Sequence, residues 1–159
     1  MIEDIRKHDE NFNEDKFISK VNQLYLMIID AIKNDEIESI EYCVSRPLYR
    51  KLYYTYEEYT INADVSILDT KIVDTKLTGY FITIMVELKL KWNDEIKYKI
   101  VTLSKYNNKN HPNVINMCPF CRHEITIDDG NKCPSCGQIT DMQNYDYLIT
   151  RIEEKEKKV

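Results

Sequence analysis

Four of the five cysteines in this chain form two closely spaced pairs, and these pairs restrict the possible folds more than any other feature. The pairs are Cys118-Pro119-Phe120-Cys121 and Cys133-Pro134-Ser135-Cys136-Gly137. Each is typical of a tight turn that directs two sulfurs to one point, and two such turns complete a tetrahedral thiolate site. We therefore predict that residues 114–140 form a small zinc ribbon with one structural Zn²⁺, whose ligands are Cys118, Cys121, Cys133 and Cys136.

A site of four thiolates leaves no open coordination position, so the predicted metal stabilises structure and does not catalyse. Binding free energies on the order of 10–16 kcal/mol are enough to fold a segment that has too few apolar residues for its own core. A dithiol redox pair, a disulfide-bonded segment and a rubredoxin-type iron site are the alternatives. We expect His111 and His123 to be surface residues and Cys43 to be a small buried apolar residue.

The first half of the chain has the periodicity of helices. Apolar residues recur at helical spacing from Phe17 to Ile32, which predicts one long helix with a single buried stripe. Asn34 and Asp35 are expected to end it. Residues 1–10 are charged and aperiodic, which predicts a frayed leader.

Two further helices are predicted before the sheet. Asp35 and Glu38 match a capping box, which predicts a second helix. Its expected buried residues are Ile37, Ile40 and Val44. Ser45 as the N-cap and Pro47 in the first turn predict a third helix. The apolar face of that helix is Leu48, Leu52, Tyr56 and Tyr59.

The clearest strand of the chain is Tyr80 to Trp92. Its apolar residues alternate with polar ones, which is typical of an antiparallel strand with one buried face. Asn93-Asp94 is a tight-turn sequence, and alternation resumes after it at Ile96, so a long hairpin is predicted. Helices followed by an antiparallel sheet indicate an α+β domain over residues 12–106. Residues 141–159 are predicted to be a short C-terminal segment with a charged tail or a solvated helix end from Arg151 onward.

Charge and hydropathy argue against several classes of function. The net charge is −5 with both signs mixed throughout, so no nucleic-acid partner is favoured. A nucleic-acid-binding ribbon is the weakest alternative, because its basic residues are offset by nearby acidic ones. No stretch is long and apolar enough to cross a bilayer, and the N-terminus lacks a secretory signal. We expect a cytoplasmic protein whose membrane association, if any, comes through a partner or a lipid contact.

The sequence contains no phosphate loop, nucleophile elbow or dinucleotide fingerprint, and we predict no catalytic and no cofactor-binding residues apart from the metal ligands. Asp30, within an apolar helix segment, is the one candidate for acid–base chemistry, and the alternative is that it faces water. A set of aromatic residues either lines a cleft for a peptide or lipid or fills the core. The set is Tyr25, Tyr42, Tyr49, Tyr53, Tyr98 and Trp92.

Taken in order, these elements resemble the bacterial Tim44-like domain proteins that carry a zinc ribbon after the domain. The resemblance covers Phe12 to Ile152. It rests on the helix end Ile29–Asp35, the helix start Val44–Tyr49, the strand into Trp92, the two cysteine pairs and the segment Tyr145–Ile152. The chain departs from the family pattern at Tyr147, where Trp is common, and at Arg122, where Gly usually follows the first pair.

The resemblance implies a cone of the NTF2-like kind, with three helices packed on a strongly bent antiparallel sheet. It also implies a binding or scaffolding role and no enzymatic activity, with a protein or peptide segment as the expected partner. The mitochondrial relative tethers partners at a protein-import channel. A small-molecule or lipid binder, or an acid–base enzyme that uses the cone interior, is the alternative function.

Overall fold

Three α-helices and one short 3₁₀ turn precede the sheet in the described part of the chain. The computed structural model describes residues 1–41, 43–55, 62–77, 81–106, 121, 123, 133–137 and 147–155. The helical elements are α1 (Ile2–His8), α2 (Glu14–Lys33), the 3₁₀ turn (Ile37–Ile40) and α3 (Arg46–Thr55).

Helix α1 replaces the frayed leader that the sequence predicted, so that prediction is wrong. Its first turn carries Glu3 and Asp4 and its last turn carries three basic residues, which suits the helix dipole at both ends. Ile5 is fully buried and belongs to the main core. A single buried side chain gives no periodic signal, which explains why the pattern of residues 1–10 did not reveal a helix.

Helix α2 confirms the predicted long helix. Asn13 is its N-cap, and the Asn13 side chain accepts a hydrogen bond of 2.9 Å from the Lys16 N–H. Asp35 follows the helix with a positive φ of 58°, a conformation that Asp tolerates better than most residues. The predicted stripe is buried throughout: Phe17, Val21, Leu24, Ile28 and Ile32.

The predicted second helix is wrong, because only the single 3₁₀ turn forms there. The backbone of Asp35 is in the left-handed conformation, whereas an N-cap residue needs an extended one. Farther on, the backbone bonds to a strand instead of continuing as a helix. The Ile149 N–H donates to the Cys43 carbonyl at 3.1 Å, and the Ser45 N–H donates to the Ile149 carbonyl at 2.9 Å. The residues expected to be buried are nonetheless buried: Ile37, Ile40 and Val44.

Helix α3 confirms the predicted third helix over its described length. Ser45 Oγ accepts a long hydrogen bond of 3.5 Å from the Leu48 N–H, as expected of an N-cap. Leu48 is buried and Leu52 is partly buried against the core. Tyr56 and Tyr59 lie outside the described residues.

The sheet has four antiparallel strands in the order β1-β2-β3-β4. The strands are β1 (Val65–Leu77), β2 (Phe81–Trp92), β3 (Glu95–Tyr106) and β4 (Leu148–Glu154). The α+β class is therefore confirmed. One apolar core joins the helices to the sheet, and its β2 members are Ile82, Ile84, Val86, Leu88 and Leu90.

The predicted hairpin is confirmed, with Asn93 and Asp94 as its two-residue turn. Asn93 has a φ of 54°, as this kind of turn requires. The register pairs Trp92 with Glu95 and continues without a bulge to Phe81 and Tyr106.

Strand β4 corrects the expectation of a solvated helix end or tail from Arg151, because Leu148–Glu154 pairs with β3. Residues 107–147, which contain all four paired cysteines, therefore connect two neighbouring strands of one sheet. We call them the β3–β4 connection. The division into residues 12–106, 114–140 and 141–159 stays a prediction.

Candidate functional sites

Three of the four predicted metal ligands lie together. The sulfurs of Cys121, Cys133 and Cys136 are all within 4.8 Å of one another, and the Cys121 and Cys133 sulfurs are 3.5 Å apart. Cys118, the fourth predicted ligand, lies outside the described residues. His123 is exposed and is not part of this sulfur cluster, while His111 also lies outside the described residues.

The second cysteine pair forms the tight turn that its sequence predicted. Gly137 has a positive φ of 75°, and its N–H donates a 2.9 Å hydrogen bond to the Cys133 carbonyl. A residue with a Cβ would be disfavoured in this left-handed conformation. The glycine therefore closes the turn directly after its second sulfur.

The backbone of this turn is suited to a thiolate at Cys133. Burial raises the pKa of the Cys133 thiol, but hydrogen bonds from the Cys136 and Ser135 backbone and from the Cys121 and Cys136 thiols outweigh it. The pKa of Cys133 consequently lies below its ordinary value. Metal ligation requires the thiolate form, so this environment favours it.

The sulfur geometry fits a tetrahedral metal ion. A disulfide holds its sulfurs about 2.05 Å apart, so the 3.5 Å separation of Cys121 and Cys133 excludes a bond between them. Four thiolates at about 2.3 Å from a central zinc lie roughly 3.8 Å from one another. The 3.5 Å separation of Cys121 and Cys133 is close to that spacing, and Cys136 Sγ lies within 4.8 Å of both sulfurs. Zinc and tetrahedral iron share this geometry.

Cys43 is separate from this cluster. It is half-buried against the core, so the expected burial is partial. Burial raises the pKa of the Cys43 thiol, against a smaller opposite effect from the positive charge of Lys20. The thiol is thus held in its protonated, unreactive form.

A cleft of about 530 Å³ opens on the side of the sheet that faces α2 and α3. Its volume is within the usual range of ligand sites. The described residues that line it are Tyr25, Ile28, Ile29 and Ile32 of α2, Leu48, Lys51 and Leu52 of α3, Trp92 of β2, Lys97 and Lys99 of β3, and Ile152, Glu153 and Glu154 of β4. We refer to this set as the cleft.

The aromatic candidates divide into different environments. Tyr25 and Trp92 line the cleft. Tyr49 and Tyr53 line a separate depression together with Glu38, Arg50 and other residues of that surface. Tyr98 is half-buried and does not line the cleft, and Tyr42 lies outside the described residues.

An ion pair joins β3 and β4 at the cleft. Lys99 Nζ and Glu154 Oε1 are 2.8 Å apart, and the lysine side chain is 14% exposed whereas the glutamate side chain is 75% exposed. The hydrogen bond from Lys99, followed by its positive charge, holds the pKa of Glu154 below its ordinary value, with a smaller contribution from Lys97. Burial, and secondarily the negative charge of Glu154, raises the pKa of the Tyr25 phenol.

Lys97 and Lys99 of β3 also lie over the indole of Trp92. Lys97 Nζ is 5.0 Å and Lys99 Nζ is 5.7 Å from the ring centroid. These distances are within the range of cation–π attraction. Trp92 therefore helps to hold both ammonium groups on this side of the sheet.

Sequence reasoning missed Lys97 and Lys99, although the turn could have revealed them. A two-residue turn at Asn93 and Asp94 pairs Leu90 with Lys97 and Leu88 with Lys99. Cross-strand partners share one face of a sheet, so both lysines lie on the face with the buried leucines. Ile96, Tyr98 and Ile100 lie on the opposite face.

Asp30 does not enter the cleft. It is exposed on α2, and it is not among the residues that line the cleft. The hypothesis of a desolvated catalytic carboxylate in the cleft therefore lacks its proposed residue. Among the described residues, no helix combines the length and apolar character needed to cross a bilayer.

Comparisons with protein-family models, with curated proteins and with solved structures each gave no significant match. The resemblance to Tim44-like domain proteins therefore continues to rest on the sequence elements alone.

Proposed function

We propose that this chain is a non-enzymatic binding module of the Tim44-like, NTF2-related kind, which holds a segment of a protein partner in the cleft. The observation that carries the proposal is the cleft itself, whose lining combines apolar residues with Lys51, Lys97 and Lys99. Helices on one face of a four-stranded antiparallel sheet are compatible with an NTF2-like cone. A cytoplasmic location is part of the same proposal.

The partner segment would contact the cleft through a few partly exposed side chains. Leu52, Trp92 and Ile152 are only partly buried, so each still has apolar surface that a ligand can cover. Burial of such surface stabilises a complex by roughly 25 cal/mol per Å² before the costs of association are subtracted. We expect a modest affinity, as is usual for short segments.

The test compares two single variants of the full chain in affinity capture from native lysate. Leu52→Gln places an amide in the cleft, whereas Tyr54→Gln changes a neighbouring residue that is 78% exposed and outside the cleft. We expect a specific partner to bind the parent chain and the Tyr54 variant but not the Leu52 variant. Equal capture by all three proteins would place the binding surface elsewhere and refute the proposal.

We further propose that residues 114–140, within the β3–β4 connection, form a zinc ribbon that holds one structural zinc. Cys121, Cys133 and Cys136 supply three ligands in a suitable arrangement, and Cys118 supplies the fourth. When bound, the ion fixes the turns of this segment and takes no part in a reaction.

Elemental analysis of protein purified without added metal tests the zinc proposal. We expect about one zinc per chain, lost when both Cys118 and Cys133 are changed to Ser. Cys43→Ser is the matched control and should keep its zinc. Full-length protein that contains no metal would refute the site. One iron per chain would instead indicate a rubredoxin-type iron centre.

A small-molecule or lipid ligand is the second candidate function, and the cleft volume favours it. A nucleic-acid-binding ribbon is the third. Binding to mixed DNA or RNA that weakens steeply with salt would support the ribbon role, and no binding at low salt would eliminate it.

A further inference from the structure

Lys97 and Lys99 are charged residues on the apolar face of the sheet. Their cross-strand neighbours, Leu90 and Leu88, are fully buried. An ammonium group on an apolar face has lost part of its hydration, and this costs free energy unless an anion compensates. The Lys99 side chain is only 14% exposed, so this cost applies to it in particular.

The compensating anion at present is Glu154, which approaches from β4. Its carboxylate reaches Lys99 at 2.8 Å while most of the glutamate side chain remains in solvent. A pair with one solvated member exchanges partners at little cost, because water already stabilises the departing carboxylate. Glu154 therefore occupies the position that a ligand carboxylate would take.

The charge balance of the cleft differs from that of the whole chain. The net charge of the chain is −5, but three lysines and two glutamates line the cleft. One of those glutamates, Glu153, also accepts from Arg151 Nε at 3.1 Å. The cleft is thus a locally cationic site on an acidic protein, which complements an anionic ligand.

The apolar lining indicates the size of the apolar group that fits. Four α2 residues of the cleft are already packed and less than a tenth exposed: Tyr25, Ile28, Ile29 and Ile32. The apolar surface still available comes mainly from Leu52, Trp92 and Ile152. This surface suits one or two aliphatic side chains better than a long acyl chain, which favours a peptide over a lipid.

We infer that the cleft recognises a peptide segment in which an acidic side chain lies beside aliphatic ones. The carboxylate binds Lys97 and Lys99 and displaces Glu154 from Lys99, while the aliphatic side chains contact Leu52 and Ile152. The inference rests on the proposed binding function of the cleft and adds the chemistry by which the partner is selected.

The experiment uses Trp92, the only tryptophan of the chain, as a reporter inside the cleft. Its fluorescence is followed while the full-length protein is titrated with a short end-blocked aliphatic peptide that contains one glutamate. The twin peptide with glutamine, and decanoate, are titrated in parallel. We expect the glutamate peptide to bind about tenfold more tightly than its twin at low salt, with the difference shrinking as salt is added.

Variants assign that preference to the named groups. Lys99→Met should remove the preference for glutamate while keeping the apolar contact, whereas Lys91→Met, at an exposed position on the opposite face, should leave it unchanged. Glu154→Gln should tighten binding of the glutamate peptide by about threefold, because a competing charge is removed. Circular dichroism verifies the fold of each variant, and Lys97→Gln replaces Lys99→Met if the latter is unfolded.

The outcomes separate this inference from the proposed function. Equal binding of the two peptides refutes carboxylate recognition and leaves the binding function of the cleft intact. Binding of decanoate alone refutes a peptide as the occupant. No change in Trp92 fluorescence with any probe, together with equal partner capture by the Leu52 variant, refutes both.

Discussion

The hairpin of β2 and β3 and the β3–β4 connection are stabilised in different ways. In the hairpin, a continuous register and a row of buried aliphatic residues each contribute a small part of the stability. In the connection, three sulfurs and one turn are brought together, and we expect the proposed metal to contribute most of the free energy that stabilises it. A structure with many small contributions tolerates single losses, whereas one that depends on few ligands does not.

Metal removal should cause the largest difference in stability between the hairpin and the β3–β4 connection. After chelation under reducing conditions we expect the amide of Gly137 to lose its protection from hydrogen exchange, because its turn loses ligand energies on the order of 10 kcal/mol. The amide of Leu88 in the hairpin should stay protected. Protection at Gly137 that survives chelation would contradict a metal-dependent connection.

A core truncation in the hairpin should have the next largest effect. Leu88 is fully buried, so Leu88→Ala should lower the free energy of unfolding by about 2–5 kcal/mol. Lys91→Ala, at an exposed position of the same strand, should change it by less than about 0.5 kcal/mol. Urea unfolding measures both, and equal losses would show that Leu88 is not a core residue.

The hairpin and the β3–β4 connection meet at Asp9. Substitution of its carboxylate should have the third largest effect. Asp9 Oδ2 lies 3.2 Å from Lys105 Nζ and accepts a 3.2 Å hydrogen bond from the Tyr147 hydroxyl. Lys105 lies near the end of β3 and Tyr147 is the last residue of the β3–β4 connection, and the Asp9 side chain is only 11% exposed.

Asp9→Asn should therefore lower the free energy of unfolding by about 1–3 kcal/mol, measured by thermal or urea unfolding. Asp4→Asn removes a comparable but exposed pair with Lys7 and should have almost no effect. An Asp9→Asn variant with an unchanged free energy of unfolding would show that this contact does not stabilise the ends of the connection.

The smallest expected effect is the pH dependence due to Glu154. Because the pKa of Glu154 is lowered in the folded state, its ion pair stabilises the fold above the ordinary carboxyl pKa. This contribution disappears as the pH falls through the lowered value. Since the glutamate is largely exposed, we expect less than about 1 kcal/mol.

Thermal unfolding of the parent chain and Glu154→Gln at low salt measures this contribution. The difference in melting temperature should be present at neutral pH and vanish in acid. A difference that persists in acid would assign the effect to packing and not to charge.

Local pattern predicted the hairpin well, because the alternation in β2 and the Asn93–Asp94 turn specify one register. Local pattern gave wrong predictions where contacts with residues far along the chain determine the secondary structure. Asp35 and Glu38 match a helix start, yet Cys43 and Ser45 bond to Ile149, which lies far along the chain. Strand β4 contains Arg151, Glu153 and Glu154, and only its position beside β3 makes that charged sequence a strand.

The candidate sites show the same division. Spacing alone predicted the association of Cys121, Cys133 and Cys136, because ligand geometry is encoded over a few residues. The cleft was not predictable in this way, since α2, α3 and three strands each supply part of it. The hairpin register places Lys97 and Lys99 of the cleft on the face of the buried leucines.

The position of the β3–β4 connection also has a consequence for the order of folding. Strand β4 reaches its place beside β3 only after residues 107–147 close into a loop, and closing a long loop carries an entropic cost that slows assembly. A bound metal within that loop shortens the free chain that must be closed. Since β4 supplies Ile152, one of the proposed ligand contacts, to the cleft, we expect newly made chains to acquire ligand affinity late, and sooner when the proposed metal is bound.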